Sequence, residues 1–127
     1  MLEVIVISPE TDYPNEHEWV VKLFEAGLSR HHVRKPGRTD EEMSDYIQGI
    51  PNQWRDRVVP HQSHEMVEPL ELGGWHFKDN VVQLARADRW RNSRENGQVL
   101  SRSIHSLDDL NEDLSGWDYV FLSPVFH

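Results

Sequence analysis

Apolar positions along the chain alternate between short continuous runs and stretches with helical spacing. Residues 3–8 form a continuous apolar run, from Val4 to Ile7, closed by Pro9. That is the pattern of a strand buried on both faces. Asn15 and Glu18 have the spacing of a capping box, and Trp19, Val20, Leu23 and Phe24 follow on one helical face that Gly27 can end. Residues 28–33 read as a second strand. Thr39 with Glu42 makes another capping box, ahead of a stripe of Met43, Tyr46, Ile47 and Ile50 that Pro51 stops. Residues 57–61 form a short third strand, in which Pro60 cannot donate to a ladder.

Residues 66–72 suit a short helix or turn before Gly73 and Gly74, and 75–77 a fourth strand. Residues 81–90 fit a helix poorly; their arginines read as a solvated face. Asn96-Gly97 is a turn, and a fifth strand begins at Val99. It runs into Ser106, an N-cap with Asp109 as partner, so that Leu107, Leu110 and Leu114 stripe a helix. Gly116 ends that helix, and residues 118–124 form a sixth strand. Strand and helix alternate with no hairpin signal, which predicts a parallel α/β fold of the (β/α) TIM-barrel type with six βα units. No linker divides residues 1–127, so one domain is expected.

Composition narrows the function. The chain has 127 residues, 37% hydrophobic and 28% charged, as expected of a soluble globular protein. With no cysteine there are no disulfides, thiolate nucleophiles or Cys-based metal sites. No apolar run reaches the length of a membrane span, and the N-terminus lacks the features of a signal peptide; a cytoplasmic protein without membrane partners is expected. A net charge of −9 argues against nucleic-acid binding. Against that background the acid-free stretch Arg30, His31, His32, Arg34, Lys35 and Arg38 stands out. It is either a small-anion site, with Arg34 and Lys35 facing the ligand, or a set of solvated charges.

The histidines fall at strand positions: His31 and His32 in strand two, His61 ending strand three, His76 in strand four and His105 ending strand five. In a parallel sheet the carboxyl ends of the strands carry the chemistry. Ser103 and His105 lie at such an end. Each histidine either transfers protons or satisfies local backbone groups. His61 and His64 have a ligand-pair spacing, but the turn residues Pro60 and Gln62 and the lack of a fixed carboxylate argue against zinc, so no metal site is expected. No nucleophile elbow, Walker loop or dinucleotide fingerprint is present.

Taken together, these residues resemble the thiamine phosphate synthase/TenI superfamily. Ser101-Arg102-Ser103-Ile104-His105-Ser106-Leu107-Asp108-Asp109 is similar to the family's strand-five Ser-x-His-Ser turn, and the segment from Asp118 to Phe126 to its strand-six segment. His32-Val33-Arg34-Lys35 resembles its Gln-Leu-Arg-Glu-Lys motif, and Gly74-Trp75-His76-Phe77 its Gly-Val-His-Leu. The resemblance implies a TIM barrel acting in thiamine biosynthesis on a phosphorylated thiazole or pyrimidine. Synthase members are transferases that couple hydroxymethylpyrimidine diphosphate to thiazole phosphate with magnesium; TenI-like members tautomerise thiazole phosphate carboxylate without metal. It further implies His105 as the catalytic proton-transfer residue and Arg34, Lys35, His61, His76, Arg102 and Ser103 as substrate-binding residues. His61-Gln62 stands where the synthase has Asn-Asp, and Asp79 is out of clear register with its second magnesium carboxylate. Both departures favour a TenI-like role, with magnesium expected only if coupling is retained. The family continues past strand six, so truncation at the C-terminus or completion by another chain, as in a homo-oligomer, is expected. A catalytically inactive homologue that binds a phosphate ester or a partner protein is the alternative.

Overall fold

A computed structural model describes residues 3–122. The strands are β1 (Ile5–Ile7), β2 (Arg30–Val33), β3 (Val58–Pro60), β4 (Gly74–Phe77), β5 (Val99–Ile104) and β6 (Tyr119–Leu122). The helices are α1 (Glu16–Glu25), α2 (Asp40–Gln48) and α3 (Val81–Arg91), with short 3-10 turns at Asn52–Arg57, His64–Met66 and Leu107–Asn111. Every strand pairing is parallel, in two sheets of order β1-β2-β3 and β4-β5-β6. The expected parallel α/β architecture is present. No ladder joins β3 to β4 among the described residues, and the sheet is not closed into a barrel. The two sheets abut through Gly73 N–H, which donates to Val58 O at 2.8 Å. Among the described residues no helix is long and apolar enough to cross a membrane.

Strand alternation sorts the side chains into two sets. On one side Val33, Val58, Trp75, Phe77 and Leu100 pack with Val20 and Phe24 of α1, Met43 and Ile47 of α2, and Ala87 and Trp90 of α3. Burial of each large apolar side chain there contributes roughly 1.5–3 kcal/mol. The other side carries His32, His61, His76, Ser101, Ser103, Tyr119 and Phe121. These residues face one another: Tyr119 O–H lies 2.6 Å from His32 Nε2, although β6 is four places from β2 in strand sequence. In a flat sheet that separation would be about 19 Å. The strand array is therefore strongly curled, with the helices outside.

Several local expectations change. Thr39 and Glu42 form both bonds of their capping box, each 3.1 Å. Asn15 caps nothing with its side chain; it sits left-handed at φ 61°, a conformation asparagine tolerates, and Glu16 accepts the Tyr13 N–H instead. Trp19 turns outward, 63% exposed. Residues 81–90 belong to a regular helix, capped by Asn80, which accepts from Gln83 N–H at 2.8 Å. Only Ala87 and Trp90 of that helix are buried, which is why its apolar period is weak. The helix expected after Ser106 is a 3-10 turn with Leu107 and Leu110 exposed, since one short turn cannot lay a stripe on the sheet. Pro60 is tolerated because, among the described residues, β3 pairs only with β2. Residues 123 and 124 of the expected sixth strand lie outside the described residues.

Gly74 sits where β4 meets β5. Its φ is +148°, and a Cβ there would lie 2.1 Å from the Val99 carbonyl oxygen. Gly74→Ala is expected to destabilise the protein by at least about 2 kcal/mol, read as a lowered urea midpoint. A midpoint within experimental error of the parent would contradict the close approach of these two strands.

Candidate functional site

The carboxyl ends of the strands open into a cleft of about 480 Å³, lined by Ile7, Arg34, His61, His76, Lys78, Asp79, Asn80, Ser103, His105 and Phe121. Five of the seven residues expected at a site come together there: Arg34, His61, His76, Ser103 and His105. The other two do not line it. Lys35 is fully buried, its ammonium 2.9 Å from Asp12, 3.1 Å from Glu16 and 2.9 Å from the Pro9 carbonyl, and 4.8 Å from the Tyr46 ring centre. Two carboxylates neutralise it, and its hydrogen bond holds Asp12 below the usual carboxylate range. Arg102 alternates with Ser101 and Ser103 and so points away from the curled interior. Its guanidinium donates to Asp79 Oδ1 at 2.9 Å and to Glu112 at 3.3 Å.

Asp79 thereby links Arg102 to His105. Its other oxygen, Oδ2, lies 3.3 Å from His105 Nδ1. A hydrogen on Nδ1 donates to that carboxylate, which leaves Nε2 as the nitrogen for proton exchange. His105 is half exposed at the rim. The turn that carries it is pinned by Asp109, whose Oδ2 accepts the His105 and Ser106 N–H groups at 3.3 and 3.2 Å. Arg34 is paired with Glu10 and partly exposed, while its N–H donates to Ser8 Oγ at 2.9 Å.

Beneath the rim lies a cluster of imidazoles. His32 Nδ1 and His61 Nε2 are 2.8 Å apart, and the His61 and His76 rings stack with centroids 3.9 Å apart. His76 reaches Ser101 Oγ at 2.7 Å through Nδ1 and Ser103 Oγ at 2.9 Å through Nε2. Burial drives these rings toward the neutral form, His32 to about 2 and His76 to about 3, with His61 lowered for the same reason and by its neighbour His76. On the helix side, burial also lowers His31 to about 4. Burial raises the Tyr119 phenol to about 12, so it keeps its proton as a partner for His32.

Sequence reasoning names neither Tyr119 nor Lys78 as a candidate, and it names His32 and Asp79 without assigning them to the site. Of the adjacent pair His31 and His32 only one can face inward, and nothing in the sequence fixes which. Alternation would have placed Tyr119 and Phe121 on one face. The pair His61 and His64 separates: the His64 ring is 2.7 Å from the His76 carbonyl and packs near Phe77 and Trp90.

No family model matches the sequence, and no curated protein matches it. The fold is similar to that in the crystal structure of thiamine phosphate pyrophosphorylase from Bacteroides thetaiotaomicron, with a TM-score of 0.77 and 27% sequence identity. The match covers 98% of this chain and 59% of that one, so the chain spans little more than half the length of that protein. The parallel α/β architecture is consistent with a thiamine phosphate synthase-like fold.

The buried imidazoles make stability pH-dependent. Unfolded histidines titrate near 6.5, so above that value both states are neutral and the contribution is fully present. Below it the unfolded chain takes up protons that the folded rings refuse. Stability then falls by about 1.4 kcal/mol per pH unit for each such ring. For chelator-treated protein the urea midpoint should drop clearly between pH 7.5 and 5.5. An unchanged midpoint would show that the rings titrate normally.

Proposed function

We propose that this chain works on a thiazole phosphate of thiamine-precursor metabolism, in the cytoplasm, and that its chemistry is proton transfer of the TenI kind. The observation that carries this reading is the Asp79–His105 pair at the rim of a cleft at the strand carboxyl ends. It is supported by the similarity to the thiamine phosphate pyrophosphorylase fold. In this reading His105 Nε2 takes a proton from an acidic ring carbon and returns it elsewhere on the ring, while Asp79 fixes the imidazole. Arg102 is then a positioning residue acting through Asp79. Arg34 and Lys78 offer the phosphate its charge, with Lys35 holding the segment that carries Arg34. His61, His76 and Ser103 shape the cleft floor. The curled parallel array belongs to the same reading, as βα units of a barrel-type sheet in one domain.

Coupling to a diphosphate calls for magnesium, which takes oxygen ligands in octahedral geometry. Among the described residues the cleft offers one carboxylate, Asp79, already engaged by Arg102 and His105, beside His61 and His76. That donor set does not fit magnesium, and tautomerisation needs none.

His105→Asn should lower kcat for thiazole tautomerisation by about 10²–10⁴-fold with little change in urea midpoint, because the ring is half exposed. A lowered midpoint with an unchanged kcat would make His105 structural. Binding of the thiazole phosphate without turnover by the parent protein would favour an inactive, ligand-binding homologue, a reading that the neutralised Lys35 and the outward Arg102 also suit.

A further inference from the structure

Three imidazoles from three consecutive strands converge inside the curled array: His32 from β2, His61 following β3 and His76 from β4. All are buried, and one ring nitrogen from each lies within 4.8 Å of the others. We propose that His32, His61 and His76 bind one first-row divalent transition ion, with zinc as the reference ion. This goes beyond the proton chemistry at His105, which requires no metal.

Four observations support the site. First, the donors are nitrogen only. Imidazole suits zinc, copper, nickel and iron, whereas magnesium and calcium seek oxygen. Second, the spacing is close. Nitrogens around a tetrahedral zinc at about 2.0–2.1 Å sit roughly 3.4 Å apart. The His32–His61 pair at 2.8 Å has to open slightly, and the longer separations within the 4.8 Å limit have to close. Binding therefore requires ring rotations, among them the unstacking of His61 and His76. Third, the neutral imidazole is the ligating form, and an imidazole of ordinary basicity already offers it at pH 7.5. Fourth, outer partners are in place. With His32 Nδ1 on the ion, its Nε2–H donates to Tyr119 oxygen, 2.6 Å away. Whichever His76 nitrogen binds the ion, the other keeps a serine: Ser101 at Nδ1 or Ser103 at Nε2. Such partners fix the tautomer and orientation of ligating histidines. Two of the ligands, His61 and His76, line the cleft, which gives an ion its entry path.

The test uses the full chain stripped with chelator, and zinc or cobalt alone as the probe. Calorimetric titration should show one equivalent of Zn²⁺ bound. His32→Gln, His61→Gln and His76→Gln should each weaken affinity by at least about 100-fold, and one of Ser101→Ala and Ser103→Ala, the serine on the nitrogen that does not bind the ion, by about 10-fold. His17→Gln, a histidine outside the cluster, should change nothing. Variant folding is checked by circular dichroism. Because a variant can lose its fold, Co²⁺ added to the parent protein supplies a second readout: intense visible absorption of a nitrogen-rich site of low coordination number is expected. Less than one equivalent of zinc, full affinity in folded His61→Gln, or only the weak bands of octahedral aqueous cobalt would each overturn the proposal. Tautomerase activity is not read in any arm, so failure here leaves the function of His105 standing, and failure there leaves the metal site standing.

Discussion

One imidazole spans the interior of the curled array. His32 reaches His61 of its own sheet through one nitrogen and Tyr119 of the other sheet through the second. No ladder joins β3 to β4 among the described residues, so apart from the shared apolar packing the two sheets are joined by a few polar groups. Those groups include the Gly73–Val58 backbone bond at the amino ends of the strands and the histidine cluster inside. A polar interior of this kind persists only if its members satisfy one another, because each unpaired buried donor or acceptor costs about 1–3 kcal/mol. The serines of β5 and the tyrosine of β6 meet that requirement for His76 and His32.

The interior also sets the geometry of the rim. Alternation along β5 puts Ser101 and Ser103 inward, so Arg102 between them faces out. From there it holds Asp79 in the cleft wall, and Asp79 in turn faces His105. A strand residue pointing away from the cleft thus acts on it through one carboxylate. The charges of the basic stretch divide in the same way: Arg34 lines the cleft, whereas Lys35 is spent on Asp12 and Glu16.

The parallel α/β pattern was legible because β1, β3 and β6 carry short apolar runs and α1 and α2 carry apolar stripes. The Thr39 capping box was legible for the same local reason. What the sequence hid depends on long-range partners. The parity that turns His32 inward and His31 outward is set by packing of His31 near Phe24 and Tyr46. Lys35 looked free because its partners, Asp12 and Glu16, lie about twenty residues earlier, across β2. The leucine stripe after Ser106 misled because periodicity does not report whether a surface is there to receive it. At the site, the strand-end histidines were visible as a group, but their convergence came from the curl, which no local signal encodes.

A double-mutant cycle between His32 and Tyr119 measures that curl most directly. His32→Gln, Tyr119→Phe and the double variant would be unfolded in urea with chelator present at pH 7.5. If the bond between them ties β2 to β6, the two losses will be non-additive, with a coupling energy of about 1 kcal/mol or more. Losses that add to within about 0.5 kcal/mol would contradict it, and with it a strand array curled around its histidines.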